Sequence, residues 1–334
     1  MPDPLSPGPP YNTAIIPLRK RARGTPSSFT LKETLVPTRR TILSALAAVL
    51  FLSFSHSASA DPYSAVFVYG DSLSDNGNLY AVSGIPPAPY YNGRFSNGPV
   101  AVEQLASQLG APLHDFAWGG ATTGIGNSGD GGSQTSLGIF GLPGMISELA
   151  AYPVPPALVS SSLFVVWGGA NDFEAGGSVT NAISAINTIV AYLQASGATH
   201  ILVPGLPDLG LTPEFYGDAA ATAFSQQFNQ GLQSTLPSGV VYSDVYGLLN
   251  SVTQDPAAYG LTDVTTPCFT GFSVCSNPDQ HLFWDQIHPT TAADAILASR
   301  FQSDLAPVPE PSSIILLGSG ITGLAAFLRR RKLA

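Results

Sequence analysis

The chain has 334 residues, enough for two domains or for one large α/β domain with tails. Hydrophobic residues make up 44 % and aromatic residues 10 %, which supplies a full core and excludes a disordered chain, while charged residues, at 10 %, fall far below ordinary globular usage. The charge is also unevenly placed: of 13 Lys and Arg, seven lie between Arg19 and Arg40, four between Arg329 and Lys332, and only Arg94 and Arg300 in between. Residues 61–307 set those two arginines against 19 acidic residues, a balance of −17 without a lysine; such a surface repels phosphate backbones and excludes nucleic acid as a partner.

In chain order, Arg39 and Arg40 precede an apolar run from Thr41 to Phe54, and Ala58-Ser59-Ala60 then offers the small side chains that a signal peptidase requires. The run is shorter than the ~20 residues a bilayer core needs, so residues 1–60 are expected to be an N-terminal extension and signal peptide, with Asp61 opening the exported chain.

From there β-branched and aromatic runs alternate with helical stretches, the pattern of a parallel sheet covered on both faces. Strands are expected at Ala65 to Tyr69, Leu113 to Ala117, Leu163 to Trp167, His200 to Pro204 and Val240 to Ser243. Helices are expected at Val100 to Leu109, Val179 to Ser196, Ala219 to Thr235 and Thr291 to Leu305, where residues such as Ile183, Ile186, Val190 and Leu193 recur on one face. Asn127 to Ser136, rich in Gly and Ser, reads as a flexible surface loop, and residues 61–307 as one domain.

In such a sheet ligands bind beyond the carboxyl ends of the strands, and polar residues gather there. Strand one runs into Gly70-Asp71-Ser72-Leu73-Ser74-Asp75-Asn76-Gly77-Asn78, with a serine on a sharp turn. Strand two runs into Gly119-Gly120-Ala121-Thr122, whose glycines let backbone amides approach a substrate. Strand three runs into Gly168-Gly169-Ala170-Asn171-Asp172, which offers a carboxamide donor. Near the end of the domain, Asp285-Gln286-Ile287-His288-Pro289-Thr290 sets a carboxylate three residues before an imidazole.

Singly, each motif matches turns, packing glycines or helix caps. Together and in this order, from Val66 to Thr291, they resemble the four sequence blocks of the GDSL or SGNH hydrolases, and Phe67 to Asp75 with Phe283 to Thr290 is most similar to the phospholipase and haemolysin branch. The resemblance implies a three-layer α/β/α sandwich on a five-stranded parallel sheet, the flavodoxin-like SGNH hydrolase fold. It implies Ser72 as nucleophile, His288 as base and Asp285 as the residue that orients the imidazole. Oxyanion donors would be the Ser72 amide, the Gly120 amide and the Asn171 side chain, with Gly119 as substitute for Gly120 because the doubled glycine leaves that alignment open. One departure is visible: Asp115 stands where the second block often has asparagine.

No metal or organic cofactor is required by this chemistry. His281, His114 and His200 lack a suitably placed carboxylate or lie at strand starts, and Asp75, Asp172 and Asp208 lack the alternating spacing of a calcium loop. Cys268 and Cys275, in an exported chain, are expected to form a disulfide closing a short loop ahead of Asp285.

The chain closes with Val308-Pro309-Glu310-Pro311-Ser312, an apolar segment from Ile314 to Leu328, and Arg329-Arg330-Arg331-Lys332. Residues 308–334 thereby resemble a PEP-CTERM sorting signal, which implies export, handling by an exosortase-type enzyme, and a cell-surface or extracellular-matrix destination with transient anchoring in the membrane. Three functional readings stay open: an exported serine esterase or lipase, an acetyl esterase acting on extracellular polysaccharide, and an idle surface or matrix protein. The intact site residues argue against the third, and the loops Tyr80 to Tyr91 and Ala121 to Phe140 would set the substrate in the first two.

Overall fold

Strands that are apolar on both faces demand cover on both sides, and the computed structural model, which describes residues 63–306, provides it. The sheet is wholly parallel, in the order β2-β1-β3-β4-β5: β1 Val66–Gly70, β2 Leu113–Asp115, β3 Leu163–Trp167, β4 His200–Pro204 and β5 Val240–Ser243. Along β1 and β3, Val66, Val68, Leu163, Val165 and Trp167 face one apolar cluster, while Phe67, Tyr69, Phe164 and Val166 face another. The first cluster is closed by α2 (Ala101–Leu109), α7 (Val245–Gln254) and α8 (Thr291–Leu305), the second by α3 (Met145–Ala151), α5 (Val179–Ala195) and α6 (Ala219–Thr235). The expected three layers therefore stand, with two further short helices, α1 (Asn78–Ser83) and α4 (Ala170–Glu174), at the carboxyl ends of the strands.

Local chemistry fixes the ends of these elements. Ser178, Asp218 and Thr290 cap α5, α6 and α8 by accepting backbone N–H groups of the first turn. The second strand stops two residues short of the expected Ala117: the Phe116 N–H still donates to the Val68 carbonyl, but the Gly70 N–H that would continue the ladder goes to the Glu148 carboxyl, while on the outer edge the Asp115 carboxylate accepts the Ala117 N–H and the Asn78 side-chain amide donates to the carbonyls of Asp115 and Ala117. Side chains here take the hydrogen bonds that a ladder would have used.

A second correction concerns Asn127 to Ser136, which is not a loose surface loop. Asn127 and Asp130 are buried within it: Asn127 donates to the Gly119 carbonyl and accepts the Gly129 N–H, and Asp130 accepts the N–H groups of Phe140 and Leu142. The Gly and Ser content reflects close backbone contacts rather than mobility; a Cβ on Gly132 would lie 2.6 Å from the Asn127 nitrogen. The signal peptide expected in residues 1–60 and the sorting and anchoring tail of residues 308–334 lie outside the described residues. Among those described, no helix is long and apolar enough to cross a membrane.

Candidate active site

The order β2-β1-β3 makes the gap between β1 and its neighbours the switch point of the sheet, and the polar residues meet there. Gly70 ends β1 against β3 so closely that a Cβ would lie 2.6 Å from the Trp167 carbonyl, and its N–H donates to the buried Glu148 carboxyl at 3.0 Å. The Asp71 carbonyl then accepts the N–H groups of Ser74 and Asp75, and its side chain accepts that of Leu73. The resulting tight turn carries Ser72 at its corner, facing a cleft of about 460 Å³.

From the far end of the chain, Asp285 accepts the N–H groups of Ile287 and His288 at 2.9 and 2.8 Å, so one turn folds the imidazole back over its own carboxylate. His288 Nδ1 lies 2.8 Å from Asp285 Oδ2, and His288 Nε2 lies 2.8 Å from Ser72 Oγ. Thr290, as N-cap of α8, fixes the chain just beyond, and Phe95 packs against the imidazole with ring centroids 4.9 Å apart. The three residues expected to act together are thus in one hydrogen-bonded line.

Of the two glycines that line the cleft, one has its amide engaged and the other does not. Asp75 accepts the Gly119 N–H at 2.7 Å as well as those of Gly77, Asn78 and Leu79, so Gly119 is committed to the turn. Gly120, at φ +81, turns the next amide away, and among the described residues neither its N–H nor that of Ser72 has an acceptor. Asn171, in the first turn of α4, uses one side-chain N–H on the Ala121 carbonyl at 3.0 Å and keeps the other for the cleft that it lines.

Tyr90 is a site neighbour that sequence reading assigned only to a specificity loop. Its hydroxyl donates to Asp285 Oδ2 at 2.7 Å, and its ring meets Phe269 and Trp284 edge-on. Phe269 stacks on Trp284 within the loop closed by the Cys268–Cys275 disulfide, and that loop pairs through the Cys268 N–H with the Phe283 carbonyl. The bridge therefore supports the segment that delivers Asp285. His281, by contrast, sits beside Asp263 in a separate loop, and His114 and His200 are exposed at strand starts, stacked on Phe67 and edge-on to Tyr63. Asp172 is taken up by Thr123 and Gln134, and Asp208 by Gly210 and Thr222.

This geometry agrees with what the chain is similar to. The model of the GDSL-like lipase/acylhydrolase family matches residues 66–301, most of the chain. The chain belongs to that family. A second model, the PEP-CTERM protein-sorting motif, matches residues 307–332. Among its relatives, the phosphatidylcholine-sterol acyltransferase of Aeromonas hydrophila is 27 % identical over 316 residues, covering 76 % of this chain and 93 % of its own. A GDSL esterase/lipase of Arabidopsis thaliana is 27 % identical over 315 residues, covering 71 % and 87 %. An acetylxylan esterase from Geobacillus stearothermophilus, of known structure, superposes with a TM-score of 0.43 at 15 % identity, covering 74 % of this chain and 95 % of its own.

The GDSL domain holds its acids in unusual states. Burial pushes Asp71 up to about 7, against the Leu73 N–H bond and the nearby imidazole, which favour its charge. Burial likewise raises Asp75 and Asp172, and raises Asp115, Glu148 and Asp294 well above the carboxylate range. Burial thus disfavours a charge on Asp115, the residue that stands where the second block often has asparagine. Asp285 behaves oppositely: burial would raise it, but the His288 charge and hydrogen bonds from His288 and Ile287 hold it down to about 2. For His288, burial favours the neutral ring, and the Asp285 charge and hydrogen bond, with Asp71 and Glu174 behind them, more than offset this, so its pKa rises.

An acid whose pKa is higher folded than unfolded binds more protons when folded, so its folding is favoured as pH falls. His288, also raised, acts in the same direction, and Asp285, held down to about 2, loses its contribution only below the ordinary carboxylate range. Melting temperature is therefore expected to be higher near about pH 5 than near about pH 8, where taking up or keeping the protons of the buried acids costs more. Calorimetry showing the reverse trend would mean that these carboxyls are ionised and paired in solution.

Proposed function

We propose that the chain is an exported serine esterase that cleaves carboxylic esters through an acyl-enzyme on Ser72. The observation that carries this reading is the line from Ser72 Oγ through His288 to Asp285, with both contacts at 2.8 Å. Serine at its free pKa is a weak nucleophile, and a neutral imidazole at that distance accepts its proton as Oγ adds to the ester carbon. The oxyanion that forms receives the Ser72 and Gly120 N–H groups and the unused Asn171 amide hydrogen. Collapse expels the alcohol, which takes the proton from Nε2; water, deprotonated by the same nitrogen, then releases the acid from Ser72.

The cleft supports an acyl group longer than acetyl. Its walls include Leu79, Ile85, Phe95, Phe140, Leu142 and Leu209, more apolar surface than a two-carbon group can cover. A relative named for phosphatidylcholine and sterol fits the same choice of a lipid ester. Residues 61–307 act as the hydrolase domain; export follows cleavage after Ala60, and residues 308–334 address the protein to the cell surface through an exosortase-type enzyme. A panel of nitrophenyl esters of increasing acyl length, run beside acetylated xylan, tests the assignment. Rates rising with acyl length are expected, and activity confined to the xylan acetyl groups would replace a lipid ester by a glycan one.

Asn171→Ala is expected to cost about 3 kcal/mol of transition-state stabilisation, seen in kcat with little change in KM, as for one oxyanion donor. A raised KM at unchanged kcat would make Asn171 a ground-state contact instead.

A further inference from the structure

The mouth of the cleft is rimmed by apolar side chains that the fold leaves in water. On one side stand Val82, 65 % exposed, and Ile85, 53 % exposed; on the other stand Ile139 and Phe140, 81 % and 79 % exposed. Ile85 and Phe140 belong to the rim and to the cleft wall alike, so apolar side chains reach from the outside of the protein into the cleft that Ser72 lines.

This exposure is built into the loop. The buried Asp130 carboxylate accepts the N–H groups of Phe140 and Leu142 at 3.0 and 3.1 Å, and the Asp130 carbonyl accepts that of Ile139 at 3.0 Å. Gly138 lies so close beneath that a Cβ would collide with the same carboxylate. Three backbone groups are thus pinned to one buried acid, and of the three side chains they carry, those of Ile139 and Phe140 stand in water. A large apolar pair held outward at a cleft mouth marks a surface that is covered in use.

We propose that this rim seats the enzyme on a neutral or zwitterionic lipid surface, with Val82 and Ile139 entering the apolar layer and the cleft opening onto an ester within it. The inference rests on the ester-hydrolase reading and names the form in which its substrate is met. The rim surrounds the passage through which substrate enters, so a protein partner or a second copy seated there would close the site. Val82, Ile85 and Ile139 have no polar atom to offer a glycan. Charge decides the kind of lipid: residues 61–307 hold two arginines, no lysine and 19 acids, so the attraction of basic residues to anionic headgroups is missing.

The test uses the full-length chain carrying Ser72→Ala, which leaves the vesicles intact, with Ile139→Trp added as a local probe. Vesicles of dibrominated phosphatidylcholine are expected to quench its additional emission by roughly half, as the side chain enters the headgroup and acyl boundary. Tyr192→Trp, near the end of α5 that leads to the amino end of β4, opposite the carboxyl ends where the cleft lies, is the control and is expected to stay bright even where another part of the chain holds the protein to the vesicle. Phosphatidylglycerol in place of part of the lipid, compared at equal amounts of bound protein so that the basic residues at 19–40 and 329–332 do not decide the outcome, should weaken the quenching. No quenching at position 139, or equal quenching at both positions, would overturn the proposal; stronger quenching on anionic vesicles would overturn the choice of a neutral surface. A concentration-dependent dimer dispersed by Val82→Gln would assign the rim to a second copy and overturn it equally. Hydrolysis of a dispersed nitrophenyl ester by the chain with Ser72 intact reads the ester-hydrolase assignment alone, so the two can fail separately.

Discussion

Replacing Ser72 with alanine is expected to lower kcat on a nitrophenyl ester by about a million-fold, the scale seen when a serine hydrolase loses its nucleophile. The change removes one oxygen atom, and its hydrogen-bonding loss is confined to the 2.8 Å contact with His288. The turn itself depends on the Asp71 carbonyl and carboxylate, which hold the N–H groups of Leu73, Ser74 and Asp75, so the fold should melt within a few degrees of the parent. On the proposed mechanism the oxyanion donors remain, since the amides at positions 72 and 120 survive the substitution and still favour attack by water. Steady-state turnover measured alongside melting separates loss of chemistry from loss of fold. A variant that folds normally and keeps a tenth of the parent rate would place the nucleophile elsewhere and leave the Ser72–His288 contact without a catalytic role.

The sheet was legible because its strands are short apolar runs, and burial on both faces leaves little room for polar residues in β1, β3 or β4. The long helices showed themselves through repeated apolar spacing. The short helices did not: Asn78–Ser83, Met145–Ala151 and Ala170–Glu174 span at most two turns, too few for a period to register. Val245–Gln254 did carry a signal, with Asp244 accepting the Gly247 N–H as a cap and Val245, Leu249 and Val252 on one buried face. At the site, Ser72, Asp285 and His288 lie within short motifs and could be read locally. The choice between Gly119 and Gly120 could not, since it turns on which amide Asp75 takes across 44 residues of chain. Tyr90 was hidden for the same reason, being 195 residues from Asp285 with no pattern around it. Side-chain hydrogen bonds of this range are properties of the packed fold, whereas composition alone made the buried Asn127 and Asp130 look like part of a loose loop.

Asp285→Asn is expected to lower kcat by about ten-thousand-fold while leaving KM close to the parent value, because the substitution changes the tautomer of the base rather than the cleft. Oδ1 of Asp285 accepts two backbone N–H groups, from Ile287 and His288, and no NH2 group can take its place there without setting donors against donors. The amide of the variant must therefore put its nitrogen where Oδ2 now stands, 2.8 Å from His288 Nδ1 and 2.7 Å from the Tyr90 hydroxyl. Facing a donor, Nδ1 becomes an acceptor and the ring proton moves to Nε2, where it points at Ser72 Oγ and can accept nothing from it. The Tyr90 hydroxyl can rotate to accept from the new amide, so the network stays closed and the protein stays folded around an unusable base. Tyr90→Phe makes the useful contrast. It removes one charge-assisted donor to Asp285 but leaves the carboxylate and the tautomer in place, and a loss of about tenfold in kcat follows from one such hydrogen bond. If Asp285→Asn instead falls no further than Tyr90→Phe, the carboxylate serves only to hold the loop, and the selection of the imidazole tautomer must come from another neighbour of His288.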